Sequence, residues 1–298
     1  MLDHAEYVEQ AYLFDLLRQR ASEATPMQEL LDQLRHELLS TTRLPMAIDY
    51  MLGELRHTGM MSPAMSNLKH YFAPFQSFLI AEAESEHGRF TMPIALQILH
   101  FDAKLRAGHV ASTTQEVAKP PRDEVVEDAV GNMRRARSGG FFFQFETLCR
   151  NRLGYDAGLV AMSHDPMYDE AWSGWLNHLR AQVGLVDLAD LLFLASEDYR
   201  RRLLQTDPSR DISGPILFGE KEGRIAFANR GKDPLYLFGA MQRHLAYPPV
   251  PRLIVEEEDR DTIPKLLRRI ERLETRLKIM EQEQKESFDL SKFYQKPE

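Results

Sequence analysis

Prolines, glycines and capping residues cut the first 109 residues into short helical segments, and this punctuation most constrains the fold. Tyr7, Ala11, Phe14 and Leu17 recur at the spacing of one helical face. The run "TPMQELLDQLRHELL" opens with Thr25 as N-cap and Pro26 at the first helical position, and Leu30, Leu31, Leu34 and Leu38 form its stripe. A third helix is expected from Pro45 to His57, stopped at Thr58-Gly59. A fourth opens at Ser62-Pro63, kinks at Pro74 and runs to about His87. A fifth starts at Thr91 and Pro93 and ends near Gly108. Short helices with short connections predict an antiparallel bundle or stacked hairpins.

The segment "VASTTQEVAKPPRDE" is polar, carries Pro120-Pro121 and lacks periodicity, so it reads as a linker. A helix follows it and is expected to end at "RRARSGG". Beyond that the pattern is mixed. "AGLVAMS" (157–163) reads as a strand between Asp156 and His164-Asp165-Pro166. "PILFG" and "RIAFA", joined by "EKEG", read as a β-hairpin. "MYDEAWSGWLNHLRAQVG" is helical, with Trp172, Trp175, Leu176 and Leu179 on one side. The expectation is therefore a mainly α protein with a small α+β second domain. Residues 1–109 form a helical N-terminal bundle and 110–124 a linker. Residues 125–255 form a mixed domain with a short hairpin, and 256–298 a coiled-coil helix with a polar tail.

The C-terminal helix carries the most specific signal. With Ile263 at heptad position a, Leu266 falls at d, Ile270 at a, Leu273 at d, Leu277 at a and Met280 at d. In a parallel dimer Arg269 would face Glu274 of the other copy, and Arg276 would face Glu281. The apolar seam and the flanking charges agree on one register, so homodimerisation is the leading expectation. Docking on the chain's own domain, favoured by Leu267 widening the stripe, and docking on another protein are the alternatives.

Composition narrows the partners. A net charge of −8 disfavours nucleic acid, which needs an excess of Lys and Arg on one face. The single cysteine, Cys149, excludes an intrachain disulfide and suits a reducing compartment. The acidic start "MLDHAEYVEQ" is unlike a secretory signal, and no stretch has the ~18 apolar residues of a membrane span, so a cytoplasmic location is expected.

Chemical motifs mostly dissolve on inspection. "AFANRGKDP" (226–234) has the spacing of a loose phosphate-binding loop, with Lys232 in place. Asp233 stands where a hydroxyl should hold magnesium, and Pro234 removes an N–H donor. Gly231 as a left-handed turn, Asp233 as N-cap and Pro234 as first helical residue account for every position. Glu54/His57 and Glu84/His87 have the Glu-x-x-His spacing of di-metal helices, but their helix ends should point apart, so no metal and no cofactor are expected. Cys149 shares an apolar stripe with Phe145 and Leu148 and reads as an inert thiol. Arg134, Arg135 and Arg137, and Arg200, Arg201 and Arg202, read as helix-end and surface charge rather than a nucleic-acid site. Met51, Met60, Met61 and Met65 read as core filling.

The functional expectation is a non-enzymatic interaction or scaffold protein. The alternative is an enzyme, possibly a hydrolase, with its site in "SHDPMYDEAW" (163–172), where His164, Asp165, Asp169 and Glu170 gather at a strand-to-helix junction.

Overall fold

Some of the helix ends marked by a proline or glycine form where the sequence places them, at Gly59 and Pro234 for example. The computed structural model describes residues 1–21, 26–85, 90–117, 123–206 and 214–252, with side chains throughout except at 111–117 and 123–130. Thirteen helices and no strand occur among the described residues. They are α1 (His4–Ala21), α2 (Met27–Leu34), α3 (Leu44–Thr58), α4 (Ser62–Asn67), α5 (Pro74–Glu84), α6 (Met92–Val117) and α7 (Asp123–Asn151). After these come α8 (Tyr155–Ser163), α9 (Glu170–Gln182), α10 (Leu188–Leu194), α11 (Glu197–Thr206), α12 (Glu220–Ala228) and α13 (Pro234–Leu245). Gly59 ends α3 at φ 74°, its N–H donating to Leu55 O at 2.9 Å.

The long helices α6 and α7 form the axis. α1 lies along α6, α6 along α7, and α13 against α7. α8 touches α5, α7 and α9, while α10 to α12 form a small cluster of their own. Phe141, Phe142 and Phe143 are consecutive on α7 and all fully buried. Successive helical residues point about 100° apart, so α7 is enclosed on several sides. Phe141 meets Trp175 and Phe218 edge-on at 5.2 Å and 5.8 Å. The predicted stripes on α1 (Tyr7, Ala11, Phe14, Leu17) and α9 (Trp172, Trp175, Leu176, Leu179) are both buried. Met1–Arg252 clusters as one compact unit. The heptad positions at 263–281 lie outside the described residues.

The expected α+β second domain is not what forms. "AGLVAMS" lies within α8, with Gly158, Leu159 and Met162 buried and Asp156 and Ala157 exposed. A short apolar run fits a buried helix face as well as a strand, and here the helical face finds its partners. "RIAFA" lies in α12, whose first turn is the "EKEG" read as a hairpin turn. Glu220 and Glu222 at that N-terminus favour a helix through its dipole. Gly223 then packs against the α10–α11 junction, where a Cβ would meet Ser196 Cβ at 2.7 Å and Asp198 Cβ at 2.8 Å. "PILFG" makes only one isolated bridge, Phe218 to Ser196.

Other helix boundaries also differ: α2 ends at Leu34, short of the predicted Leu38, with Pro26 at its N-cap, and Thr25 lies outside the described residues. α7 runs through Gly139-Gly140, and a Cβ on Gly140 would meet Met167 Sδ at 2.6 Å. That glycine therefore serves close packing instead of stopping the helix. Pro74 begins α5 after a break at residues 68–73, with Gln76 Oε1 accepting from Ala73 N–H at 3.1 Å. α6 continues past Gly108 to Val117.

Candidate functional site

The stretch 163–172 divides its titratable residues among separate tasks. His164 follows α8 and is exposed. Its Nδ1 lies 2.8 Å from Val160 O, an acceptor, so Nδ1 carries the proton and Nε2 remains for another partner. Asp165 turns inward and is 2% exposed. Asp169 caps α9, accepting from Trp172 N–H at 3.1 Å, and pairs with Arg137 at 2.5 Å. Glu170 is exposed in the first turn of α9. The four residues do not converge on one point, and the junction is helix to helix rather than strand to helix.

Asp165 belongs to a buried network that the sequence reading missed. Arg106 on α6 is 0% exposed and grips two carboxylates. It donates to Asp102 from Nε at 2.7 Å and from Nη2 at 3.3 Å. It donates to Asp165 from Nη1 at 2.7 Å and from Nη2 at 2.5 Å. Met167 N–H adds a donor to Asp165 at 3.0 Å. Gln144 Nε2 and Gln76 Nε2 donate to Asp102 at 3.2 Å and 3.1 Å. Tyr168 Oη donates to Gln144 at 2.8 Å, and Gln76 also reaches Gln10 at 3.2 Å. Gln10 donates to Tyr71 O, and the Tyr71 hydroxyl donates to Glu6 at 2.8 Å.

This network ties α1, α5, α6, α7 and the α8–α9 connection together. Burial alone would pull the Arg106 guanidinium down, and the carboxylates of Asp102 and Asp165 outweigh it and hold it well above its ordinary value. Burial raises the Tyr168 phenol, with Asp165 adding to the effect. The ion pairs are sealed from solvent, so they act as a fastening and are closed to a substrate. One signal was legible: Asp102 and Arg106 stand at i, i+4 on the same apolar face as Leu99 and Ala103.

A cleft of about 600 Å³ opens outside this network. One wall is α5 and the segment before it, with Phe72, Pro74, Ser77, Phe78 and Ala81. The other is the end of α8 with Val160, Ala161, His164 and Pro166. Ser66 and Lys69 complete the lining. His164 is thus the one candidate among the four that lines a cleft of ligand size.

The remaining motifs are absorbed by the fold. Gly231 has φ 66°, Asp233 accepts from Leu235 N–H at 2.8 Å, and Pro234 opens α13, as the sequence predicts. Lys232 Nζ donates to Ala228 O at 2.6 Å. Glu84 accepts from the N–H groups of Met61 and Ser62 at the start of α4, at 2.5 Å and 3.0 Å. His87 lies outside the described residues. No group of three metal-ligating side chains gathers among the described residues. Burial, relieved in part by Tyr155, pushes the Cys149 thiol up to about 11. Arg134 pairs with Glu197, Arg201 with Glu220 and Arg202 with Asp198.

No protein-family model, curated protein or solved structure matches this chain. Among the described residues, no helix is long and apolar enough to cross a membrane.

Proposed function

We propose that this chain is a non-enzymatic interaction protein that self-associates as a parallel homodimer through residues 263–281, with 1–252 as the folded unit it carries. The observation that carries the reading is the heptad register: six successive apolar seam positions, flanked by Arg269 with Glu274 and Arg276 with Glu281. The geometry of 163–172 supports the non-enzymatic half, because Asp165 is held inside the network and Asp169 caps a helix. Apolar residues that remain exposed, Leu185, Val186, Leu235 and Tyr236, give a second partner something to contact. Arg134, Arg137, Arg201 and Arg202 of the arginine runs are paired with carboxylates of the same chain, which supports a protein partner over nucleic acid. Cys149, a partly buried thiol pushed up to about 11 by desolvation, suits a reducing, cytoplasmic setting.

Light scattering of the full chain and of residues 1–252 tests this. The full chain is expected at about twice the monomer mass and the truncated one at the monomer mass. An unchanged mass after truncation would overturn the proposal.

A further inference from the structure

The cleft between α5 and α8 has a chemical character unlike that of the whole chain. The protein carries 45 acidic residues against 37 basic ones, yet no Asp or Glu lines this cleft. Its walls are apolar: Phe72, Pro74, Phe78, Ala81, Val160 and Pro166. Its charged group is Lys69, which forms no ion pair with any described carboxylate. Most arginines with a described side chain have an acidic or carbonyl partner within the chain, whereas Lys69 is an uncommitted cation in an acid-free hollow. The hydroxyls of Ser66 and Ser77 make no hydrogen bond within the described residues, although Ser77 is 7% exposed.

We propose that this cleft binds an aliphatic monocarboxylate, with the carboxylate on Lys69 and the hydrocarbon along Phe72, Phe78 and Val160. One cation beside neutral donors matches a single negative charge, whereas a phosphate dianion would call for more positive charge than the cleft supplies. Apolar walls with a few polar groups are the usual build of a small-ligand site. At roughly 30 Å³ per heavy atom, the share of one water in the liquid, a cleft of about 600 Å³ takes about twenty such atoms. A ten-carbon acid fits within it. The inference is independent of self-association, since the cleft lies wholly within 1–252.

The test is calorimetric titration of the full chain with decanoate, decanol and decylammonium, kept below their micelle concentrations. Decanoate is expected to bind about tenfold more tightly than decanol, the scale of one charge-assisted hydrogen bond in a half-open site, and decylammonium more weakly than either. Lys69 is exposed, so Lys69→Met leaves the fold intact. It should weaken decanoate about tenfold and leave decanol unchanged. Ala81 is exposed on the cleft wall, and Ala81→Trp should abolish binding of both at an unchanged melting temperature. The proposal is overturned if decanoate does not bind, if it binds no better than decanol or decylammonium, or if either variant retains wild-type decanoate affinity.

Discussion

Replacing Arg106 with Met removes the one cation from a buried set that holds two carboxylates. The side chains of Arg106, Asp102 and Asp165 are 0%, 1% and 0% exposed, so water cannot replace what is lost. Methionine fills much of the volume, and the main cost is therefore electrostatic. Breaking a buried pair by removing one partner costs about 3–5 kcal/mol. Here two acids are orphaned, but Gln76, Gln144 and the Met167 N–H still donate to them. A loss of about 4 kcal/mol follows, or about 8–16 °C in melting temperature for a unit of this size. Orphaned buried carboxylates take up protons, so their folded-state pKa values rise above the unfolded ones. That contribution to stability is present at low pH and is lost as pH rises through the raised values. The deficit of Arg106→Met against the wild type should therefore be larger at pH 8 than at pH 5. Thermal unfolding followed by circular dichroism at both values measures it. Adding Asp102→Asn and Asp165→Asn, which remove the charge and keep one acceptor oxygen each, should restore most of the loss at pH 8. A deficit below about 1 kcal/mol, a deficit equal at both pH values, or no recovery in the triple variant would refute this account.

Two further outcomes follow from local geometry. Ala246 ends α13 at φ 58°, a left-handed conformation that costs a residue with a Cβ about 1 kcal/mol. Ala246→Gly should raise stability by about 0.5–1 kcal/mol in urea unfolding, the gain in the folded state being partly offset by a freer unfolded chain. Cys149, its thiol pushed up to about 11 by burial, should react with a disulfide reagent at pH 8 at least tenfold more slowly, by rough estimate, in the folded protein than in denaturant. Equal rates would mean that the thiol is open to solvent.

The reading of 226–234 shows how far local chemistry reaches. Gly231, Asp233 and Pro234 each have a short-range reason for their place, and the structure honours all three. The same holds for Gly59 behind α3 and for the apolar faces of α1 and α9. Residues 157–163 and 224–228 failed for a different reason. They are too short for periodicity to separate a strand from a helix, and only the surfaces of α5, α7, α9 and α10 that receive them settle the matter. Gly139-Gly140 likewise looked like a stop because glycine usually serves as one, and only the approach of Met167 reveals a packing contact.

The site was less legible than the fold. His164 was found for its position after an apolar run, but Lys69 and Phe78 carry no local signal, and the cleft arises only when α5 meets α8. Asp165 was singled out for chemistry, and its partner Arg106 lies 59 residues earlier. By itself the sequence determined what depends on neighbours a turn or so away: caps, proline starts and the buried faces of helices. Tertiary structure alone decided which apolar segments became helices and which charges were sealed inside. Those outcomes turn on the cost of leaving a polar group or an apolar face unpartnered, and the partner is supplied by a distant part of the chain.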